Sequence, residues 1–314
     1  MNEKISLLVP FRDNSPNQSR LKVWSWLLQF WKNELPDAEI VMGDDDGKPF
    51  SKTCAVNDAF KKSTGDIIVI LDADCYINPA VIIYCANEIR KARLKNEALW
   101  FLPYRNLYRL TDEATQKLLD SNPTNAFQLT NTPDKNDIEN SNNHSYGHWF
   151  GALIQIMPRE AFQFVGGMDP SFRGWGGEDV SFVRVLNTLY GTNRTTKNAV
   201  YTLSHHQIGE KLTKQWEGQE KPYINSNRSI KYKKAYQNKN KMELLIKEWQ
   251  GYKKYQKYLI PRIDLNLVDK FEEDMLSLGD PIIDNEKLYG VEPHYSEMHY
   301  YSEVHYCDLK IYKE

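Results

Sequence analysis

The sequence predicts an α/β fold in which a mostly parallel central sheet is flanked by helices. Short apolar segments rich in β-branched residues, typical of buried strands, lie at residues 5–9, 39–42, 67–71 and 98–102. Segments of about 12 to 15 residues with apolar side chains at helical spacing separate them, which is typical of right-handed βαβ units. The first part of the chain therefore predicts a doubly wound, nucleotide-binding half, although the sequence has no Gly-x-Gly-x-x-Gly or Walker-type loop.

The bulk composition is that of a globular protein. The chain has 314 residues, of which 41% are hydrophobic and 26% charged, and its formal net charge is −2. This length suits one large α/β domain with an accessory region, or two domains. The four cysteines form no Cys-x-x-Cys pair, which predicts reduced thiols and a cytoplasmic protein. Residues 5–9 are too short for the apolar region of a signal peptide, and no apolar run approaches the roughly 20 residues of a membrane span. We therefore expect neither a signal peptide nor a membrane span.

The helices follow from local patterns. Apolar residues at helical spacing predict a helix over residues 19–31 whose tryptophans belong to the core. Ser51 is a suitable N-cap for a helix that extends to residue 62. Asn78-Pro79 begins another helix, which extends to about residue 93.

Two acidic groups follow predicted strands at the same edge of the sheet. The strand at 39–42 leads into three aspartates at 44–46, and the strand at 67–71 leads into Asp72-Ala73-Asp74. Ligands of open α/β sheets bind outside the carboxyl ends of the strands, and an Asp-x-Asp there can hold a divalent cation and, through it, a diphosphate. Both groups are equally consistent with polar turns, and the second with a helix cap. The residues alone leave both interpretations open.

A glycine-rich segment at residues 166–179 contains one tryptophan and ends in two acids. It reads Gly-Gly-Met-Asp-Pro-Ser-Phe-Arg-Gly-Trp-Gly-Gly-Glu-Asp, and its glycines permit backbone shapes that other residues avoid. A predicted helix over residues 180–190 places Glu178 and Asp179 at a helix N-terminus, where negative charge is favoured. The two acids therefore either cap this helix or carry chemistry.

Residues 111–145 differ from their surroundings, since they are rich in Asn, Thr, Asp and Ser and show little periodicity. A polar insert of this length predicts a mobile loop, a lid or a flap that faces an acceptor. Regular structure resumes with a predicted strand over residues 149–157 and a short helix from residue 158.

The C-terminal region is basic and aromatic. Residues 210–262 contain 14 Lys and Arg against 5 Glu, with tyrosines and tryptophans interleaved, and a helix is predicted over about residues 239–258. Either this region binds a polyanion such as nucleic acid, or its rings pack on the core while its lysines are solvated; the second is the simpler interpretation. A near-repeat of Tyr-Ser-Glu-x-His-Tyr at residues 294–306 predicts a strand or hairpin rather than a metal site.

Four blocks, in order, resemble metal-dependent glycosyltransferases of the GT-A fold. The nearest likeness is to the inverting galactosyl- and N-acetylgalactosaminyltransferases that carry a Gly-Trp-Gly-Gly-Glu-Asp motif. The blocks are the first strand with Pro-Phe-Arg-Asp at 10–13, the run through helix and strand to Asp-x-Asp at 52–74, the glycine-rich segment at 166–179, and Leu-Ser-His-His at 203–206. The likeness covers about residues 4–210 and leaves the C-terminal hundred residues aside.

The resemblance implies a division of the chain and a role for each matched residue. The GT-A catalytic domain would cover 1–209, as a nucleotide-binding half at 1–110, the insert at 111–145 and an acceptor half at 146–209, followed by the basic helical region at 210–314. Asp179 would be the catalytic base, and Glu178 would hold the acceptor. The residues that would bind Mn²⁺ or Mg²⁺ are Asp72, Asp74 and His205 or His206. The residues that would bind the nucleotide sugar are Pro10, Phe11, Arg12, Asp45, Lys52, Asp72 and Asp74. Those that would contact the acceptor or sugar are Trp175, Gly176 and Gly177.

The implied function is transfer of a sugar from a nucleotide-diphosphate donor, UDP-linked by resemblance, to an acceptor hydroxyl on a glycan. Related retaining transferases often carry Asn at the position of Asp179, so an aspartate there favours inversion. Two alternatives stay open: a transferase that modifies a base in DNA through residues 211–258, and a non-catalytic protein that binds a nucleotide or glycan. The intact acids at the Asp-x-Asp and at Glu178-Asp179 are evidence against the non-catalytic alternative.

Overall fold

A computed structural model describes residues 4–13, 18–124, 134–138, 153–174, 176–204 and 222–265. Of residues 222–224 and 226 it describes the backbone alone. Trp175, His205, His206 and the repeat at 294–306 lie outside the described residues, as does much of the insert.

The central sheet has six strands, and most of its pairs are parallel. In chain order these strands are β1 (Ile5–Pro10), β2 (Glu39–Gly43), β3 (Ile67–Leu71), β5 (Phe101–Leu102), β7 (Ile154–Pro158) and β8 (Arg194–Thr195). Their spatial order is β2-β1-β3-β7-β5-β8. Strand β1 pairs in parallel with both β2 and β3, and β5 pairs in parallel with β8, whereas β7 runs antiparallel to its neighbours. The predicted fold class, α/β with a mostly parallel central sheet flanked by helices, is confirmed.

A second sheet, which the sequence does not predict, lies beside the Asp-x-Asp. It consists of β4 (Cys75–Tyr76), β9 (Ala199–Thr202) and β6 (Asn106–Arg109), in the order β4-β9-β6. Strand β4 starts directly after Asp74, and the Asp74 carbonyl accepts a hydrogen bond of 2.9 Å from the Leu203 amide. The small sheet therefore fixes the acidic turn from its far side.

Eight α-helices lie in the described residues: α1 (Ser19–Glu34), α2 (Lys52–Lys62), α3 (Pro79–Leu94), α4 (Asp112–Leu119), α5 (Arg159–Val165), α6 (Glu178–Leu189), α7 (Pro222–Ala235) and α8 (Lys239–Gln250). The predicted caps are confirmed, because Ser51 Oγ accepts from the Cys54 amide and Asn78 Oδ1 accepts from the Ala80 amide. None of these helices combines the length and the hydropathy that crossing a bilayer requires.

Two predictions of local structure were wrong. The insert at 111–145 contains helix α4, because Thr111 provides a side-chain cap and the helix turns buried Leu118 toward the core. The helix predicted over 239–258 ends at Gln250 and has Gly251 as its C-cap. A short 3₁₀ helix follows at Lys253–Tyr258. Apolar spacing alone does not distinguish one long helix from two short ones.

The central sheet separates two hydrophobic cores, since alternate residues of its strands face opposite sides. Leu7 and Val9 contact the core formed with α1 and α3, which includes the predicted tryptophans of α1. Leu8 contacts the core formed with α2, α5, α6, α7 and α8. The helices of the basic C-terminal region thus share a core with the sheet, and the packing does not divide at residue 209.

The aromatic residues of the C-terminal region that the structure describes are mostly buried. Tyr232, Trp249, Tyr255 and Tyr258 are each at most 7% exposed, whereas Tyr252 is 43% exposed. The lysines of α7 and α8 are exposed. The rings therefore serve the core, and the described residues give no stack of exposed rings on which bases would lie.

Candidate active site

The acidic turn after β3 is held by main-chain hydrogen bonds on both sides. The Asp72 amide donates to the Leu153 carbonyl at 2.8 Å, and the Cys75 amide donates to the Asp72 carbonyl at 3.0 Å. Both Asp72 and Asp74 are partly buried. The Asp-x-Asp predicted from the sequence thus lies at the carboxyl end of a central strand, as expected for a ligand site of an open α/β sheet.

Lys52 joins the two acidic motifs. It is the first residue of α2, and its side chain is 14% exposed. Its Nζ lies 2.6 Å from Asp72 Oδ1 and 2.8 Å from Asp179 Oδ1, and it donates a hydrogen bond of 2.9 Å to Asp179 Oδ2. One ammonium therefore brings the end of β3 and the first turn of α6 into the same site.

The site has more negative than positive charge. Burial raises the pKa of Asp179 to about 8; the Lys52 charge opposes this rise, whereas Glu178 and Asp72 add to it. Burial also raises the pKa of Glu178 and of Asp72, and Asp74 adds to the latter. Burial alone would lower the pKa of Lys52, but the carboxylates of Asp179, Asp72 and Glu178 raise it overall. The carboxylates of Asp72, Asp74, Glu178 and Asp179 thus outnumber the positive charges that act on them, which are those of Lys52 and, at Asp72, Arg20.

The backbone before α6 requires glycine. Gly176 has φ 104° and Gly177 has φ 85°, in the left-handed region that side chains avoid. A Cβ on Gly177 would also lie 2.9 Å from Ser229 Cβ of α7, whereas a Cβ on Gly176 would meet none of the described residues within 4 Å. The loop brings Glu178, whose Oε2 is buried without a hydrogen-bond partner among the described residues, to the helix start.

Arg12 faces the acidic turn after β2. Its Nη1 donates to the Gly47 carbonyl at 2.8 Å, its Nη2 lies 3.2 Å from Asp44 Oδ1, and its guanidinium lies 5.0 Å from the centre of the Phe50 ring. Pro10 ends β1, and the Phe11 amide donates to the Gly43 carbonyl. Three of the predicted nucleotide-binding residues, Pro10 to Arg12, thus converge on one turn.

Asp45 occupies a different position from its neighbours in the turn. Its side chain is fully buried, and Tyr258, Ser51 and Arg173 donate hydrogen bonds to its carboxylate. Asp44 and Asp46 are the exposed acids of this turn. Both oxygens of Asp45 are therefore used within the protein.

The comparisons with known proteins identify the family. The sequence model described as "Glycosyltransferase like family 2" matches residues 35–260. The chain belongs to this glycosyltransferase family. No curated protein matches the chain.

Two solved structures resemble this glycosyltransferase at low sequence identity. Both are of a Drosophila β1,4-galactosyltransferase 7. The catalytic domain in complex with xylobiose is 19% identical, with 73% of this chain and 80% of that chain covered and a TM-score of 0.37. A mutant in complex with manganese, UDP-Gal and xylobiose is 16% identical, with 68% and 70% covered and a TM-score of 0.34.

The family match establishes an enzyme that transfers a sugar from a nucleotide-sugar donor. The matched region extends to residue 260 and so includes α7, α8 and the 3₁₀ helix. Residues that the sequence did not single out take part in the site of this glycosyltransferase. Phe50 lies just before the cap of α2, and Arg173 lies inside the glycine-rich segment, which are local signals that could have identified them. Tyr258 has no such signal, because it lies far along the chain from the turn that it contacts.

The residues after β3 fit a hard divalent cation. Carboxylate oxygens are the ligands that Mg²⁺ and Mn²⁺ prefer, and such ions are commonly held by one or two carboxylates together with substrate phosphates. Within the described part of the chain, no group of three or more His, Cys, Asp or Glu could hold a metal ion. By their chemistry Asp72 and Asp74 suit a cation shared with a diphosphate. The predicted third ligand, His205 or His206, lies outside the described residues.

Proposed function

We propose that this glycosyltransferase is cation-dependent and inverting, and that it moves a sugar from a UDP-linked donor to a hydroxyl group of a glycan. The observation that carries the proposal is the Lys52 ammonium lying between Asp72 and Asp179. The same ammonium contacts Asp72, the proposed donor-side acid, and Asp179, the proposed catalytic base. The two acids therefore lie close together, as a single displacement requires.

Asp179 is the proposed general base. A base must lie within hydrogen-bond reach of the proton that it removes and works best when its pKa is near the working pH. Burial raises the pKa of Asp179 to about 8, so its carboxylate can accept a proton from an acceptor hydroxyl as that oxygen attacks the sugar. One attack by one activated hydroxyl inverts the anomeric carbon.

Glu178 is the proposed acceptor-binding residue. Its Oε2 is buried without a hydrogen-bond partner among the described residues, and a buried acceptor without a partner is costly. A second hydroxyl of the acceptor sugar would supply the missing donor. The resemblance implies that Trp175 and Gly176 contact the acceptor or the sugar.

Asp72 and Asp74 are the proposed cation ligands, with His205 or His206 as the third protein ligand. A bound Mn²⁺ or Mg²⁺ would neutralise charge on the leaving diphosphate. Lys52 contributes a fixed positive charge at the same place and keeps Asp179 aligned with the strand end.

The nucleotide is proposed to lie against the turn at residues 44–50. Arg12 presents a guanidinium beside the Phe50 ring, and Pro10 and Phe11 form the adjoining strand end. The choice of uridine follows from the resemblance to galactosyl- and N-acetylgalactosaminyltransferases.

The test is calorimetric titration of the protein with UDP, GDP, CDP and dTDP, each with and without Mn²⁺. The expected result is binding of UDP that strengthens with Mn²⁺. An affinity for UDP that is the same with and without Mn²⁺ would contradict the cation assignment. Tighter binding of another nucleoside diphosphate would contradict the uridine assignment. The anomeric configuration of the product, read by NMR from the matching nucleotide sugar and a glycan acceptor, tests inversion.

A further inference from the structure

We propose that Tyr258 and Arg173 are positioning residues that hold the donor turn, residues 44–50, in its binding shape through the buried carboxylate of Asp45. The proposal rests on the proposed function, since it assigns the donor nucleotide to this turn. It gives the C-terminal strap, residues 253–260, a part in donor binding although the strap contains none of the family motifs quoted above.

Asp45 is held by three parts of the chain at once. Tyr258 of the strap donates its hydroxyl to Asp45 Oδ1 at 2.5 Å, and the same hydroxyl lies 2.8 Å from Asp46 Oδ1. The Ser51 amide, at the start of α2, donates to Oδ2 at 3.1 Å, and Arg173 Nη1 donates to the same oxygen. Because the residue is 1% exposed, water cannot replace a donor that is removed.

Arg173 connects the glycine-rich segment to the turn. Its main chain is fixed by Asn225 of α7, whose Nδ2 donates to the Arg173 carbonyl at 2.7 Å. Its side chain crosses to Asp45 and passes so close to Gly47 that a Cβ there would lie 2.2 Å from Nη1. The Gly174 amide also donates to the Phe50 carbonyl at 2.8 Å. The glycine-rich segment and the donor turn are thus joined by hydrogen bonds.

The strap itself is well anchored. Tyr255 and Tyr258 are buried, Ile260 is 2% exposed, and Lys257 pairs with Asp46. The Lys257 carbonyl accepts a hydrogen bond from Lys61 of α2. Tyr258 therefore reaches Asp45 from a rigid support, as a positioning role requires.

The turn controls the groups that face the donor. Arg12 binds the Gly47 carbonyl and Asp44, and its guanidinium lies over Phe50. Gly47, Asp44 and Phe50 all lie within the donor turn, which the buried Asp45 carboxylate holds in place. Loss of a donor to Asp45 would leave a buried acceptor without its partner, and the turn would relax and misplace Arg12 and Phe50.

The test compares variants of the full chain by calorimetric titration with UDP and Mn²⁺. Tyr258→Phe removes only the hydroxyl, and we expect it to weaken UDP binding about tenfold, because a hydrogen bond to a charged group is lost. Tyr255→Phe is the matched control, since it removes the hydroxyl of another buried tyrosine of the same strap, for which the structure shows no hydrogen bond to Asp45. We expect its affinity for UDP to stay within about twofold of wild type. Thermal unfolding of each variant separates a loss of folding from a loss of affinity.

Arg173 provides a second measurement. Arg173→Met should weaken UDP binding more than Arg173→Lys, because lysine keeps a charge that can reach Asp45. Such rescue by the conservative variant is not expected if Arg173 only fills space. Asp45→Asn, which keeps the size of the side chain but loses its charge, should match Tyr258→Phe and serves if the latter does not fold.

The outcomes separate the two proposals. If wild type binds UDP and Tyr258→Phe or Asp45→Asn binds it equally well, the positioning role is wrong while the proposed function stands. If wild type binds none of UDP, GDP, CDP and dTDP, the proposed function fails and the positioning role fails with it. Weakening in Tyr258→Phe, without weakening in Tyr255→Phe, supports the inference.

Discussion

Two clusters of charge include acids of the glycine-rich segment, and they differ in charge balance. In the first, which we call the balanced cluster, Arg228 Nε donates to Asp169 Oδ2 at 2.7 Å and its Nη1 lies 2.8 Å from Glu248. Tyr232 donates its hydroxyl to the same Asp169 oxygen at 2.8 Å. Every acid in this cluster has a donor directed at it, and Lys231 adds a second cation near Glu248.

The second, unbalanced cluster is the candidate active site. There Lys52 contacts both Asp72 and Asp179, and the charge of Arg20 also acts on Asp72, with Glu178 and Asp74 close enough to influence the protonation of these acids. Balanced charge fixes a loop on its supporting helices, whereas excess negative charge keeps a proton or attracts a cation. The comparison therefore assigns stability to the balanced cluster and chemistry to the unbalanced one.

The largest effect is expected at Asp179. Asp179→Asn keeps the contact with Lys52 but removes the proton acceptor, and transfer should fall about 10³-fold. Binding of UDP with Mn²⁺, measured by calorimetry, should remain. As a control, Glu248→Gln removes an acid from the balanced cluster and should leave the transfer rate of folded protein nearly unchanged. Loss of UDP binding in Asp179→Asn would mean that this residue binds the donor rather than acting as the general base.

The next effect is on stability, at Arg228. Arg228→Met leaves Asp169 buried without its charged partner, and we expect a loss of about 3 kcal/mol or more in the free energy of unfolding, measured with urea. Lys231→Met is the matched control, because this exposed lysine touches the same Glu248 at 3.4 Å and should cost less than about 1 kcal/mol. Equal losses in the two variants would remove the distinction between the clusters.

Asp74→Ala tests the cation. The variant should lose the part of UDP affinity that depends on Mn²⁺, by about tenfold or more, because a carboxylate ligand is removed. The affinity measured without Mn²⁺ should change little. A Mn²⁺-dependent gain equal to that of wild type would show that Asp74 is not a ligand.

The next effect is the pH dependence of stability without divalent cations. The pKa of Asp179 is about 8 in the folded protein and 3.8 is its ordinary value, so the folded state holds a proton that the unfolded state releases between these values. Stability is therefore full at low pH and is lost as pH rises through about 8, by at most about 1.4 kcal/mol per pH unit. Asp179→Asn should flatten this slope in urea unfolding between pH 5 and 8.

The balanced cluster should titrate with the opposite sign. Burial alone would raise the pKa of Glu248, but the hydrogen bond and charge of Arg228 lower it below its ordinary 4.5. Its contribution to stability is present above pH 4.5 and is lost as pH falls through the lowered value. Glu248→Gln should alter only this acidic limb. An altered slope near pH 7 in that variant would contradict the assignment.

Local sequence patterns predicted the parts of the site that depend on neighbouring residues. The buried strand at 67–71 ends where its apolar run ends, so Asp72 lies at a strand end as expected. Ser51 caps α2, which places Lys52 at the first turn of that helix. The start of α6 at Glu178 follows from the glycines before it.

The remaining contacts depend on distant parts of the chain, and local pattern could not predict them. The sequence placed Lys52 with the nucleotide sugar, but nothing in its neighbourhood indicates that its ammonium reaches both Asp72 and Asp179. Asp45 resembles Asp44 in sequence, yet Tyr258 and Arg173 enclose it while Asp44 stays exposed. The small sheet beside Asp74 joins strands from three parts of the chain, and each strand has only two or four residues, too few for a periodic signal.

The hydrogen bond between Tyr258 and Asp45 also has a consequence for how the protein is made. It joins residues 213 positions apart, so it forms only after nearly all of the family-matched region has left the ribosome. Closing a loop of this length costs conformational entropy that local contacts formed earlier do not offset. We therefore expect this hydrogen bond to form in one of the last steps of folding. A nascent chain with its sheet already folded would thus hold an open donor turn until the strap arrives, and nucleotide binding would begin only when synthesis of this region is complete.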